Sequence, residues 1–159
     1  MKRLFIDLEV CYRCRECVAK CSYPHHPENN GIVSLLEQVS RVLVCRKCED
    51  APCVVSCPNE ALEKREDGVV VRHIMLCTGC GTCSLACPFG TIYPEIIPYL
   101  VSRCDYCIGR VEDQPLCVET CPHGALRYEE VEENKEKDIY LIGDRLAVHS
   151  IPWIKEEVR

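Results

Sequence analysis

The sequence predicts an α+β chain with little regular secondary structure and a core centred on metal–thiolate clusters. Three observations carry that expectation. Sixteen cysteines stand in 159 residues, a level that signals either disulfides or metal. They fall into four runs of four, with first members Cys11, Cys45, Cys77 and Cys104, which reads as an internal repeat. The stock of large apolar side chains is poor, with 2 Phe, 1 Trp and 2 Met. So few bulky groups make a thin organic core, and inorganic groups would have to complete it, as structural metals do in other small folds.

The third run is the most informative. Cys77-Thr-Gly-Cys80-Gly-Thr-Cys83-Ser-Leu-Ala-Cys87-Pro88 has the spacing C-x2-C-x2-C-x3-C-P, which holds iron–sulfur clusters in bacterial two-cluster ferredoxins. Three thiolates from one tight loop would converge on one cube. Gly79 and Gly81 allow the turns and let backbone N–H groups approach sulfur. Cys83 and Cys87, at i and i+4, are expected on one helix face. In such proteins the fourth cysteine serves the neighbouring cluster. Pro88 then ends the turn because it has no N–H to continue a helix.

The other elements come in order. Leu4, Ile6, Leu8 and Val10 alternate through residues 1–10 and predict a strand running into Cys11, Cys14, Cys17 and Cys21. This first run lacks the Cys-Pro pair, and Pro24 comes three residues later. A loop to Gly31 leads into an apolar-rich segment, residues 32–44, compatible with helix or strand. The second run, Cys45, Cys48, Cys53 and Cys57-Pro58, widens its middle gap to x4. Residues 61–66 and 69–74 flank Asp67-Gly68 and predict a hairpin. The fourth run, Cys104, Cys107, Cys117 and Cys121-Pro122, opens its middle gap to x9. Three runs also continue alike past their last cysteine: Cys-Pro-Asn-Glu-Ala-Leu62, Cys-Pro-Phe-Gly-Thr-Ile92 and Cys-Pro-His-Gly-Ala-Leu126. Each repeat therefore predicts a strand, a cluster loop, one helical turn and then another strand. Beyond them, residues 129–138 form a charge-dense connector. Residues 139–142 and 146–148 flank Gly143-Asp144 as a second hairpin, and Ile151-Pro-Trp-Ile154 makes an apolar knob. That knob is expected to fold onto its own core, with partner docking as the competing role.

Charge and composition exclude several classes. A formal net charge of −6 opposes nucleic-acid binding, and clusters would add further negative charge. No apolar stretch approaches a membrane span. The first residues, Met-Lys-Arg-Leu-Phe-Ile-Asp7, show no long apolar signal region, so a reducing cytoplasm with thiolates on metal is the expected setting. Structural zinc is the alternative for C-x2-C pairs, but zinc ribbons separate their two pairs by a long loop. His25, His26, His73, His123 and His149 have no pairing that would make them ligands. Arg13, Arg15, Arg46, Lys47 and Arg103 lie beside cysteines, where cations could raise cluster potentials or simply be solvated. No Ser/His/Asp set, phosphate loop or paired acids indicates catalysis.

The arrangement resembles the four-cluster ferredoxin-like electron-transfer subunits of multisubunit anaerobic oxidoreductases. The resemblance rests on Cys45-Arg-Lys-Cys-Glu-Asp-Ala-Pro-Cys-Val-Val-Ser-Cys-Pro58, on Cys104-Asp-Tyr-Cys-Ile-Gly-Arg, and on Pro115-Leu-Cys-Val-Glu-Thr-Cys-Pro122. It implies tandem, nested modules of the bacterial two-cluster type, over residues 1–128, with 129–159 as connector and extension. The outer pair would come from residues 1–31 and 98–128 and the inner pair from 42–97. It also implies four 4Fe–4S clusters. Their ligand sets would be Cys11, Cys14, Cys17 and Cys121, then Cys104, Cys107, Cys117 and Cys21. The inner sets would be Cys45, Cys48, Cys53 and Cys87, then Cys77, Cys80, Cys83 and Cys57. Family members accompany molybdenum or tungsten pterin enzymes, hydrogenases and carbon monoxide dehydrogenase. The short build is most similar to small subunits of tungsten aldehyde-oxidoreductase-type complexes. The expected role is therefore a non-catalytic relay of single electrons. It would join a large catalytic subunit to a second redox protein or subunit, with no membrane insertion. A free soluble polyferredoxin and a zinc-bound interaction module are the alternatives.

Overall fold

Leu4 and Ile6 do build a strand, β1 (Lys2–Asp7), but it ends three residues earlier than the alternation suggests. The Asp7 carboxylate accepts the N–H groups of Glu9 and Val10, at 3.1 and 3.3 Å. That capping turns the chain into a short helix, α1 (Leu8–Cys11). In the computed structural model the described residues are 1–15, 17–21, 31–92, 103–111 and 113–151. The chain divides into two units, Met1–Pro24 with Tyr106–Arg159, and His25–Asp105.

The first unit is a four-stranded sheet in the order β4-β1-β6-β5. Here β4 is Leu126–Glu130, β5 is Ile139–Ile142 and β6 is Leu146–His149. β4 runs antiparallel to β1, with Ile6 opposite Leu126. β6 runs parallel to β1 and places Leu146 beside Leu4 and Val148 beside Ile6. The hairpin expected around Gly143-Asp144 forms between β5 and β6, and Gly143 sits at φ +64° as its turn requires. The sequence pattern sets residues 129–159 apart from the repeats as connector and extension. Residues 139–149 instead complete this sheet, and Leu146, Ala147 and Val148 have no exposed surface. The charge-dense segment contributes the end of β4 and a short 3-10 turn, Lys135–Lys137, capped by Asn134. Of the apolar knob only Ile151 is described, and it is exposed; residues 152–154 lie outside the described residues.

The second unit opens with α2 (Gly31–Val39), which settles the helix-or-strand ambiguity of residues 32–44 as helix. Ile32, Leu35 and Val39 share its buried face. The helix then widens into a π-helical turn, Ser40–Val44, where the Cys45 N–H reaches the Ser40 carbonyl at 2.8 Å. The buried Ser40 hydroxyl donates to the Thr91 carbonyl at 2.7 Å, which ties this turn to the end of the third repeat. Next come α3 (Pro52–Val55), the strands β2 (Leu62–Lys64) and β3 (Val70–Arg72), and α4 (Thr82–Ala86). β2 and β3 form the expected hairpin, shorter than the sequence suggests, with Gly68 at φ +78° in its turn. In the first unit, α5 (Leu116–Glu119) precedes β4.

The two cores differ in kind. The first unit buries Leu4, Ile6, Leu8, Leu146 and Val148 as a conventional sheet core. The second packs Cys53, Leu62, Val70, Cys83 and Ile92 together, with Cys57, Cys77 and Cys87 against them. Thiols make up much of that second core, and a cluster-centred interior accounts for it.

Candidate iron–sulfur centre

In the third run Gly79 and Gly81 adopt φ +69° and +76°, and α4 starts at the next residue with Cys83 buried inside it. Cys87 does not share a helix face with Cys83 as expected. α4 stops at Ala86 and Cys87 takes extended backbone, ψ 111°, because the following proline disfavours the helical conformation. The same loop geometry recurs without glycine. Lys47 and Tyr106, at the place of Gly79 in their runs, have φ +52° and +58°, and Ala51, just before α3, has φ +38°. Such conformations are costly for residues other than glycine and persist only where the surrounding structure imposes them.

The segments after the runs share one conformation. Glu60, Gly90 and Gly124 lie at φ +50°, +62° and +64°, and the N–H of each reaches the carbonyl of Cys57, Cys87 or Cys121 at 3.3 Å. The next two residues, Ala61-Leu62, Thr91-Ile92 and Ala125-Leu126, are buried in all three. The repeat seen in the sequence is thus a repeated turn that fixes the fourth thiol of each of these runs.

Two clefts in the second unit bring the thiols together. The first is lined by Cys45, Cys48, Cys53 and Cys87, with Arg41 and Phe89. The second is lined by Cys57, Cys77, Cys80 and Cys83, with Arg72. Each takes three thiols from one run and the fourth from the other. In the first unit Cys11, half-buried on α1, feels Cys17, Cys14 and Cys121. Cys104 packs against Gly31, where a Cβ would meet its Cβ at 3.2 Å, and its N–H donates to the Ser34 hydroxyl at 2.8 Å. Cys107 is buried, and Cys21 and Cys117 are half-buried.

The electrostatics suit a metal cluster. Burial, then Cys17, Cys14 and Cys121, pushes the Cys11 thiol up to about 11. Burial likewise raises Cys53 and Cys83, with Arg41 opposing it in both. Bare thiolates crowded in this way repel one another, and iron bound here would take the place of their protons. Donors to sulfur are already in place. Burial raises the Cys87 thiol, but the Thr91 hydroxyl at 3.3 Å and nearby N–H groups bring it down overall. The Thr82 hydroxyl, also at 3.3 Å, lowers exposed Cys80. The Ala61 N–H reaches the Cys57 sulfur at 3.2 Å. Such bonds orient ligands and stabilise charge on sulfur.

Of the cations singled out in the sequence, Arg46 lines the first cleft and stacks 5.9 Å over Phe89, and Arg103 donates to the Arg72 carbonyl at 2.7 Å. Arg13 and Arg15 are exposed. His73 meets Glu63 and His149 meets Asp7, at 2.8 and 3.0 Å, and His25 and His26 lie outside the described residues. Sequence reasoning misses Arg41, Arg72 and Glu37: the i, i+4 spacing of Glu37 and Arg41 could have marked that pair, but Arg72 joins it from 35 residues away, where no spacing rule applies.

This donor set on this fold belongs to an iron–sulfur electron-transfer protein of the ferredoxin-like class. The chain is a member of the 4Fe–4S dicluster domain family, whose model matches residues 36–131. An anaerobic dimethyl sulfoxide reductase chain of Escherichia coli (strain K12) is 39% identical over 169 residues, covering 93% of this chain and 80% of that protein. The electron transport protein HydN of the same organism is 35% identical over 157 residues, covering 79% of this chain and 87% of its own. A third E. coli relative, AegA, is 35% identical over 141 residues, and the match spans 21% of its length. Among the described residues no helix is long and apolar enough to cross a membrane.

Proposed function

We propose that the protein relays single electrons through four 4Fe–4S clusters between a catalytic oxidoreductase subunit and a second redox protein or subunit. The observation that carries this reading is the pair of clefts, each lined by four cysteines drawn from two different runs. A bound cube supplies a one-electron couple, and this chain's residues hold it, donate hydrogen bonds to its sulfurs and shield it from water. The inner pair, from residues 42–97, takes Cys45, Cys48, Cys53 and Cys87, and Cys77, Cys80, Cys83 and Cys57. The outer pair, from residues 1–31 and 98–128, takes Cys11, Cys14, Cys17 and Cys121, and Cys104, Cys107, Cys117 and Cys21. The closeness of Cys121 to the first run supports the first of these outer sets. Nested pairing makes a row, and a row needs a partner at each end. Catalysis lies on the partner subunit, a molybdenum or tungsten pterin enzyme. The likeness to a dimethyl sulfoxide reductase subunit supports a subunit role. A free carrier in the cytoplasm is the second reading, favoured by the name of HydN as an electron transport protein, and anaerobic co-purification with or without a large subunit separates the two.

Crossed ligation is tested by Cys57→Ser and Cys87→Ser. The first removes the cube at Cys77, Cys80 and Cys83, and the second removes the cube at Cys45, Cys48 and Cys53. Paramagnetic NMR of the cysteine β-protons identifies which loop has lost its cluster. Damage confined to the mutated residue's own run rules out the crossing.

A further inference from the structure

Three charged side chains, two from successive turns of the α2 helical stretch and one from β3, meet beside the clefts of the second unit. Glu37 on α2 has a side chain only 14% exposed. Its carboxylate accepts the Arg72 Nε and Nη2, at 2.7 Å each, in a two-pronged bond. The same Oε1 accepts the Arg41 Nε and Nη2, at 3.2 and 3.1 Å. Arg41 and Arg72 are both buried. Arg41 lines the cleft of Cys45, Cys48, Cys53 and Cys87, while Arg72 lines the cleft of Cys57, Cys77, Cys80 and Cys83 and hydrogen-bonds the Cys77 sulfur.

Buried guanidinium groups are costly unless paired, and one carboxylate here holds two of them. Arginine keeps its proton throughout the working pH range, so each charge is permanent. An electron added to a nearby cluster adds one negative charge, and a fixed cation at short range in a dry interior favours that state. An N–H directed at a ligating sulfur acts in the same direction.

We propose that Glu37 clamps one guanidinium at each inner cleft, and that these cations raise the reduction potentials of the inner clusters, each acting on the cluster whose cleft it lines, Arg41 on one and Arg72 on the other. The inference rests on the four-cluster reading. Arg41 and Arg72 are positioning residues: they set how readily each cube accepts an electron and are not ligands.

The test is an anaerobic redox titration of the full chain, followed through the shifted cysteine β-proton signals of each cluster. Arg72→Gln should lower the potential of the cluster at Cys57, Cys77, Cys80 and Cys83. At fixed solution potential its reduced-to-oxidised ratio should fall about tenfold, which is 59 mV for a one-electron couple. The cluster at Cys45, Cys48, Cys53 and Cys87 should move much less. Arg41→Gln should lower the potential of the cluster at Cys45, Cys48, Cys53 and Cys87 and move the other much less. Arg72→Lys, which keeps the charge and loses the two-pronged fit, should retain most of the potential while melting earlier than the parent. The proposal is overturned if either Gln variant moves both clusters equally or neither, or if the Lys variant falls as far as the Gln variant. Should Arg72→Gln fail to assemble, Arg41→Gln and Arg72→Lys still decide. Iron and sulfide content of the parent is measured alongside. Four clusters with unmoved potentials overturn this inference alone, whereas fewer than four in the parent overturn the reading beneath it.

Discussion

Truncating one side chain of β6 tests whether the C-terminal hairpin belongs to the core. Leu146 has no exposed surface and lies beside Leu4 of β1, while the Leu4 N–H bonds the Arg145 carbonyl at 2.9 Å. Removing a fully buried leucine side chain forfeits its transfer free energy and leaves a cavity, together about 3 kcal/mol for Leu→Ala. At roughly 4 °C per kcal/mol for a unit of this size, the apparent melting temperature of Leu146→Ala should fall by about 12 °C. The consequence reaches the candidate site, because β1 leads through the Asp7 cap directly into α1 and Cys11. A loosened β1 should make the iron bound by the first run easier to chelate. Anaerobic melts at one scan rate, with timed iron release, provide the assay, and Glu132→Ala on the exposed surface is the control. If Leu146→Ala and Glu132→Ala melt within about a degree of each other, β6 is not part of the core and the parallel pairing is wrong.

Two further outcomes rest on the same structure. Four complete cysteine sets should bind about sixteen iron and sixteen sulfide per chain, and anaerobically reconstituted protein holding half that content would contradict four cubes. Chelating the iron should abolish hydrogen-exchange protection in residues 31–92, whose core contains Cys53 and Cys83, before it affects the amides of β1 and β6. Retained protection across residues 31–92 after complete iron removal would show that this unit does not need its clusters.

Local signals in the chain are sufficient for part of this structure. The cysteine spacings specify the donor set, and Gly79, Gly81 and Gly143 mark turns that only a positive φ can close. The hairpins at Asp67-Gly68 and Gly143-Asp144 are legible because turn chemistry and flanking alternation act over a few residues. Short range also explains the misreadings. The alternation of residues 1–10 hides the Asp7 cap, and the i, i+4 spacing of Cys83 and Cys87 hides the effect of Pro88 on the residue before it. The positive φ of Lys47 and Tyr106 carries no residue signature at all.

Tertiary structure alone decides every meeting of distant segments. β6 pairs with β1 although the two lie at opposite ends of the sequence, and nothing near Leu146 announces Leu4 as its neighbour. The same holds for Arg72 of β3, which meets Glu37 of α2 from 35 residues away. Composition and spacing determine which groups can bind iron and which turns can form, because those depend on covalent geometry and nearest neighbours. Which group faces which depends on burial and charge summed over the whole fold, so only the folded chain specifies it.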